Sequence, residues 1–259
     1  MTRFITLTIT TAVLASVSLA AQQPAPAPAA APQVRRLGGN IRATPVSGAL
    51  PRTADGKPDL TGVWVGGLPV GNIAQGMPNK EPVPMLPDTK AKMAAHQAKD
   101  DPQAQCLPVP PPRATPYPWR IVITPTHGFF LYEMYDYRQV FMDGRKHPPL
   151  DELDPTWKGH SIGWWEGDTL VIDTVGFNGK IWLDNTGHVS TDRLHTVERY
   201  TRKDLGNMDI QILIDDPGAY ARPFTVNGVA RLMPKTDELL EYVCNENNQD
   251  LPFLVGPRQ

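Results

Sequence analysis

Between residues 159 and 174 the chain reads GHSIGWWEGDTLVIDT, which gathers His160, Ser161, Trp164, Trp165, Asp168 and Asp173 within sixteen positions. A serine, a histidine and an aspartate are the parts of a nucleophile, its base and an orienting carboxylate. On a β-strand, however, consecutive side chains point to opposite faces, so His160 and Ser161 do not readily share a site. No G-x-S-x-G elbow elsewhere restores a serine hydrolase. The pair that survives is His160 with Asp173, an imidazole general base held by a carboxylate.

Whether they meet depends on the turn between them. A two-residue turn at Glu166-Gly167 sets Trp165 opposite Asp168 and His160 opposite Asp173, on the face of Ile162, Trp164 and Val171. A three-residue turn with Gly167 in the left-handed position sets Trp164 opposite Asp168 and His160 opposite Ile172. The second suits W-E-G-D better and aligns Ile162 and Trp164 with Leu170 and Ile172. In that register His160 faces the more apolar side, expected to be the barrel interior, as a pocket residue or a satisfied core histidine.

Other side chains are candidates by position. Arg138 opens a strand after YEMYDY and is either a surface salt-bridge partner or an anion-binding arm reaching into a cavity. Trp182 and Asp184, in IWLDNTG, suit a barrel mouth where loops close over a ligand. With Tyr132 and Trp164 they complete the expected ligand-binding set. On 194–202, Glu198 and Tyr200 share a face while His195 points the other way. His127, His147, His160, His188 and His195 are scattered, with no metal-ligand spacing, so no metal is expected. There is no P-loop and no strand-linked G-x-G-x-x-G, and no organic cofactor is implied. Cys106 and Cys244 are the only cysteines; in an exported chain they read as a disulfide.

These residues need strands to hold them. TADGKPDLTGVWVG (53–66) is a turn running into a strand, and the Gly, Pro and Asn of 67–88 read as loop. One helix is predicted at 87–99, with Asp88 as its cap and His96 solvated. CLPVPPPRATPYP (106–118) is too rich in proline for a helix or inner strand and reads as a rigid crossing segment. Strands follow at 119–125, 128–135, 138–144, the opening hairpin, 194–202, 207–216, 224–232 and 238–246. The clearest alternation sets Met208, Ile210, Ile212 and Ile214 against Asp209, Gln211 and Asp215. Many strands, short links and one helix predict an all-β fold, a single antiparallel lipocalin-like barrel whose closure removes exposed edges. A β-sandwich is the alternative.

Residues 1–20 read as a secretory signal peptide, with Arg3 before a short, hydroxyl-containing apolar run and small residues at its end. That run is short for a membrane span. Residues 21–52 are an Ala/Pro-rich linker, and 53–259 form the barrel domain. The expected location is periplasmic or secreted. With 25 basic and 27 acidic residues and no basic block, the chain lacks the footprint of a nucleic-acid binder.

Several segments together resemble a family of exported bacterial proteins that has no established activity. They are TADGKPDLTGVW (53–64), Cys106-Leu107-Pro108, RQVFMDGRKHP (138–148), PTWKGHSIGWWEGDTLVIDTVGFN (155–178), IWLD (181–184), DDPGAYARP (215–223) and EYVCNEN (241–247). They cover most of the chain after the signal, and the resemblance implies a shared fold but assigns no site. Members of that family often carry an acidic residue where His160 stands, which weighs against a histidine mechanism common to all.

The sequence therefore predicts an exported barrel that binds a small organic molecule in an aromatic and polar cavity. One alternative is an acid/base enzyme, a lyase, isomerase or hydrolase, using the same cavity with His160 as base and Asp173, Arg138 or Tyr132 in support. Another is an envelope interaction module.

Overall fold

The computed structural model describes residues 46–134 and 136–246, all within the compact unit Arg36–Gln259. The signal peptide expected at 1–20 and most of the linker lie outside the described residues. Nine strands close into one barrel in chain order. They are β1 (Val63–Gly67), β2 (Trp119–Ile123), β3 (His127–Tyr132), β4 (Tyr137–Phe141), β5 (His160–Glu166), β6 (Thr169–Val175), β7 (His195–Arg202), β8 (Asn207–Asp215) and β9 (Phe224–Leu232). Neighbours are antiparallel, and β1 pairs with β9 to close the ring. The exception is β4 with β5, joined in parallel through Phe141 and Ile162. Closure excludes the sandwich, because no sheet edge remains free along the ring.

Alternation sorts the two faces. Met208, Ile210, Ile212 and Ile214 of β8 are buried inward while Asp209 and Gln211 are exposed. Trp119, Phe130, Tyr132 and Tyr200 fill one region of the interior, with ring centres 5.3 Å apart for Phe130 and Tyr200 and 6.1 Å for Trp119 and Phe130. Such offset and tilted contacts add to the area each ring removes from water.

The one α-helix among the described residues, α1 (Pro87–Ala95), starts with Pro87 at its first position and Leu86 as cap, so Asp88 lies inside the first turn rather than capping it. His96 follows it and is not solvated as expected, because its ring stacks on Trp182 at 4.5 Å. Segment 238–246, expected as a strand, is not one. The barrel edge it would need is taken by β1, and the segment instead runs past β3, where Leu240 N donates to Glu133 at 2.9 Å. Its Cys244 forms the disulfide with Cys106, with Cα atoms 5.6 Å apart.

The opening hairpin has neither register considered from sequence. Gly167 and Asp168 form the turn, Glu166 lies opposite Thr169, and His160 lies opposite Val175. Gly167, at the first central position, takes φ +58, a conformation that glycine adopts without steric cost and that suits a II′-type hairpin. A second correction concerns the faces. Ser161, Gly163, Leu170, Ile172 and Thr174 point inward, while His160, Ile162, Trp164 and Asp173 lie on the outer wall. The small inward residues of β5 have a packing reason: a Cβ on Gly163 would lie 2.7 Å from Met142 Sδ and 2.9 Å from Val140 Cγ1.

Candidate functional site

A cavity of about 500 Å³ opens at one end of the barrel, here the mouth. Ligand sites typically span about 300–1,000 Å³. The C-terminal ends of β2 and β5 supply Ile121, Ile123 and Trp165, and Met142 follows β4. The opposite wall is the turn segment 53–61, with Lys57, Asp59 and Leu60. Thr53 N donates to Lys57 O and Gly56 N to Thr53 O, both at 2.9 Å, which folds TADGK into a compact loop. Arg52 fastens that loop to the β5–β6 turn through two bonds to Asp168, at 2.9 and 2.6 Å. Arg202 donates to the Asp59 carbonyl from beneath, with its guanidinium 4.9 Å from the Trp64 ring centre. The Lys57 ammonium lies 5.9 Å from the centre of the Trp165 ring. The lining is thus mainly aliphatic and aromatic, with one cation and two carboxylates, Asp55 and Asp59, at the rim.

Deeper in the barrel the space is filled. Arg138 on β4 projects inward and donates Nε to Ser161 Oγ at 3.1 Å, Nη2 to Thr174 Oγ1 at 2.6 Å and Nη1 to Glu198 Oε2 at 3.0 Å. Its Nη2 also lies 2.7 Å from Glu198 Oε1. The Tyr200 hydroxyl donates to Glu198 at 2.6 Å. Burial opposes the charge on Arg138, but the Glu198 carboxylate more than offsets it, so the guanidinium stays charged and its pKa is raised. Burial also pushes up the Tyr132 hydroxyl. That hydroxyl is buried without a hydrogen-bond partner among the described residues. Beside it, between Pro111, Pro112, Trp119, Phe130 and Tyr200, remains a cavity of about 10 Å³. This is about the size of a single water site.

His160 and Asp173 are brought together, but on the outer wall and through a third residue. His147, from the segment joining β4 to β5, places Nδ1 2.8 Å from His160 Nδ1 and Nε2 3.1 Å from Asp173 Oδ1. His195 Nε2, from β7, reaches the same oxygen at 2.9 Å. Burial works against the charge on Asp173, but hydrogen bonds and charge from His195 and His147 outweigh it and lower its pKa. The Asp173 contact raises the pKa of His195. Partial burial, then the charges of His147 and Arg145, lower that of His160.

The remaining candidates lie apart from these groups. Trp164 is on the outer wall, 39% exposed, and donates Nε1 to Glu166 at 2.9 Å. Asp184 is fully buried in the segment joining β6 to β7 and accepts from Ile73 N at 2.8 Å and Thr186 N at 3.0 Å. Its Oδ2 also lies 2.6 Å from His188 Nδ1. The structure thus places Tyr132 with Arg138, and Trp182 near Asp184 in one loop, but does not gather the five into one cavity.

The residues that line the mouth carry no signal of a site in the sequence, where TADGKPDLT reads only as a turn. Trp165 was available as the neighbour of Trp164, and parity alone decides which of the two faces inward. His147 and His195 were visible as histidines, yet nothing in their spacing points to Asp173, because three separate segments must fold together to join them. No family model, no curated protein and no solved structure matches the chain.

Proposed function

We propose that the protein is an exported binder of a small, mainly apolar organic molecule carrying a polar or anionic group, taken up at the barrel mouth. The observation that carries this reading is the cavity of about 500 Å³ bounded by Leu60, Ile121, Ile123, Met142 and Trp165 with Lys57 at its rim. An aromatic or aliphatic body would displace water from the Ile and Met floor, and Trp165 offers a ring face. Lys57 offers the polar anchor. The N-terminal sequence and the Cys106–Cys244 disulfide support export, and among the described residues no helix is long and apolar enough to cross a membrane.

The interaction-module alternative has less support. Among the described residues, the large exposed apolar side chains, Val122, Tyr137, Leu150, Trp164, Val229 and Val243, come from different segments rather than one strand face. The test is native mass spectrometry of the full chain purified from its source compartment, beside Ile123→Trp, which fills the mouth. A bound molecule present in the unaltered protein and lost in the variant supports the reading. A molecule retained equally by both places binding elsewhere.

A further inference from the structure

The outer-wall cluster has an internal order that follows from donor and acceptor chemistry. An ionised carboxylate only accepts hydrogen bonds, so Asp173 Oδ1 receives N–H groups from His147 Nε2 and His195 Nε2. A neutral His147 protonated at Nε2 has only a lone pair at Nδ1, and His160 must therefore donate its own Nδ1 proton there. That fixes the tautomer of His160 and leaves a lone pair on its Nε2, which has no hydrogen-bond partner among the described residues. His147 turns opposite nitrogens to His160 and to Asp173, so the four side chains form a chain rather than converging on one point. Consistently, no group of three such residues among those described could hold a metal ion.

The surroundings favour a neutral imidazole with a cation beside it. The His160 ring stacks on Phe141 at 5.1 Å, and the Arg145 guanidinium lies 3.9 Å from the centre of the same Phe141 ring. Arg145 Nε and Nη2 are held by Asp143, at 2.9 and 2.6 Å to its nearer oxygens. The charges facing the cluster are Arg145 and Asp143 from the segment after β4, Asp173 from β6, His195 from β7 and Asp215, which pairs with His195 across β8.

We propose that His160 is the general base of a second site, on the outer wall, that hydrolyses activated carboxylic esters. His160 Nε2 takes a proton from water as the water oxygen bonds to the ester carbonyl carbon, giving a tetrahedral oxyanion beside Arg145. Collapse reforms the carbonyl and breaks the bond from carbon to the leaving oxygen, which takes the proton back from His160. The products are one carboxylic acid and one alcohol or phenol, and the imidazole is restored. His147 and Asp173 are positioning residues that hold the tautomer and stabilise the charge formed on His160.

The probe is p-nitrophenyl acetate with the full chain. His160→Gln is expected to lower kcat by about 100-fold, within the range for loss of a general base. The rate of the unaltered protein should rise with pH through a midpoint below the ordinary histidine value of 6.5. Asp173→Asn should lower kcat by less, leave KM near its original value and move that midpoint. Arg145→Gln, an exposed and structurally mild change, should lower kcat and raise that midpoint, because the Arg145 charge is one of those that hold the His160 pKa down. Equal rates for His160→Gln and the unaltered chain would overturn the assignment. So would hydrolysis no faster than that of free imidazole at the same concentration.

Discussion

Arg138 and Glu198 are the residues on which the barrel interior most depends. Both are buried, and their bonds to Ser161, Thr174 and Tyr200 link four strands across the lumen. Removing one member of a buried ion pair leaves the other charge desolvated, at a cost of about 3–5 kcal/mol. Glu198→Ala should therefore lower the urea midpoint by that equivalent, whereas Arg138→Met combined with Glu198→Leu should recover most of it. A double variant as unstable as Glu198→Ala would show that packing, not the stranded charge, sets the loss.

The outer-wall histidines titrate with opposite signs. His195 has a raised pKa, so its contribution to stability is fully present below its unfolded value of 6.5 and is lost as pH rises through the folded value. His160 has a lowered pKa, so the fold loses stability as pH falls from 6.5 through the folded value. Asp173 is lowered as well, and its contribution holds above 3.8 and disappears as pH falls through its folded pKa. The destabilisation caused by His195→Gln should thus be greatest near about pH 5, where Asp173 is still ionised. It should shrink steadily towards alkaline pH and stay below about 1 kcal/mol for so exposed a pair. Chemical unfolding at several pH values checks this; a deficit that grows with pH contradicts the assignment of the Asp173 bond.

At the scale of elements, two glycines set the β5–β6 hairpin. Gly167 has open space around its missing Cβ but φ +58, so Gly167→Ala should cost about 1–2 kcal/mol through backbone conformation alone. Gly163 has an ordinary conformation but Val140 and Met142 pressed against it, so Gly163→Val should cost about 1–3 kcal/mol through overpacking. Thermal melts of the two variants separate these causes, because the second loss should be relieved by Met142→Ala and the first should not. The same hairpin explains what the sequence could and could not disclose. In β8, apolar residues occupy one parity and polar residues the other, so inside and outside are legible. In β5 and β6, Ile162, Trp164 and Val171 are apolar on the outer wall, as Leu170 and Ile172 are inside, so hydrophobicity does not choose a face. The choice falls to the turn, and moving it by one residue changes the partner of every side chain. The opposition of His160 to Ser161, and of His195 to Glu198, was legible because it depends only on alternation along one strand. The bridge by His147 was not, because it depends on where a long connection lies.

At the scale of the molecule, the disulfide ties the proline-rich segment after α1 to the segment after β9, across a separation of 138 residues. In the chain-entropy model such a closure contributes about 4–5 kcal/mol. The reduced protein should unfold at a correspondingly lower urea concentration, and the unfolded, unreduced protein should show no reactive thiol from Cys106 or Cys244. The barrel as a whole divides its features by position: a polar and aromatic interior, an outer wall with a cluster of histidines around Asp173, and an open cavity at the mouth. The most direct test of that division is a fluorescence titration of the full chain with 1-anilinonaphthalene-8-sulfonate, whose aromatic body and single anionic group match the mouth and Lys57. The unaltered protein should bind one dye molecule with saturation, and Ile123→Trp and Lys57→Ala should each weaken binding while His160→Gln leaves it unchanged. Saturable binding that Ile123→Trp does not affect would contradict the account, because the dye would then occupy some other surface.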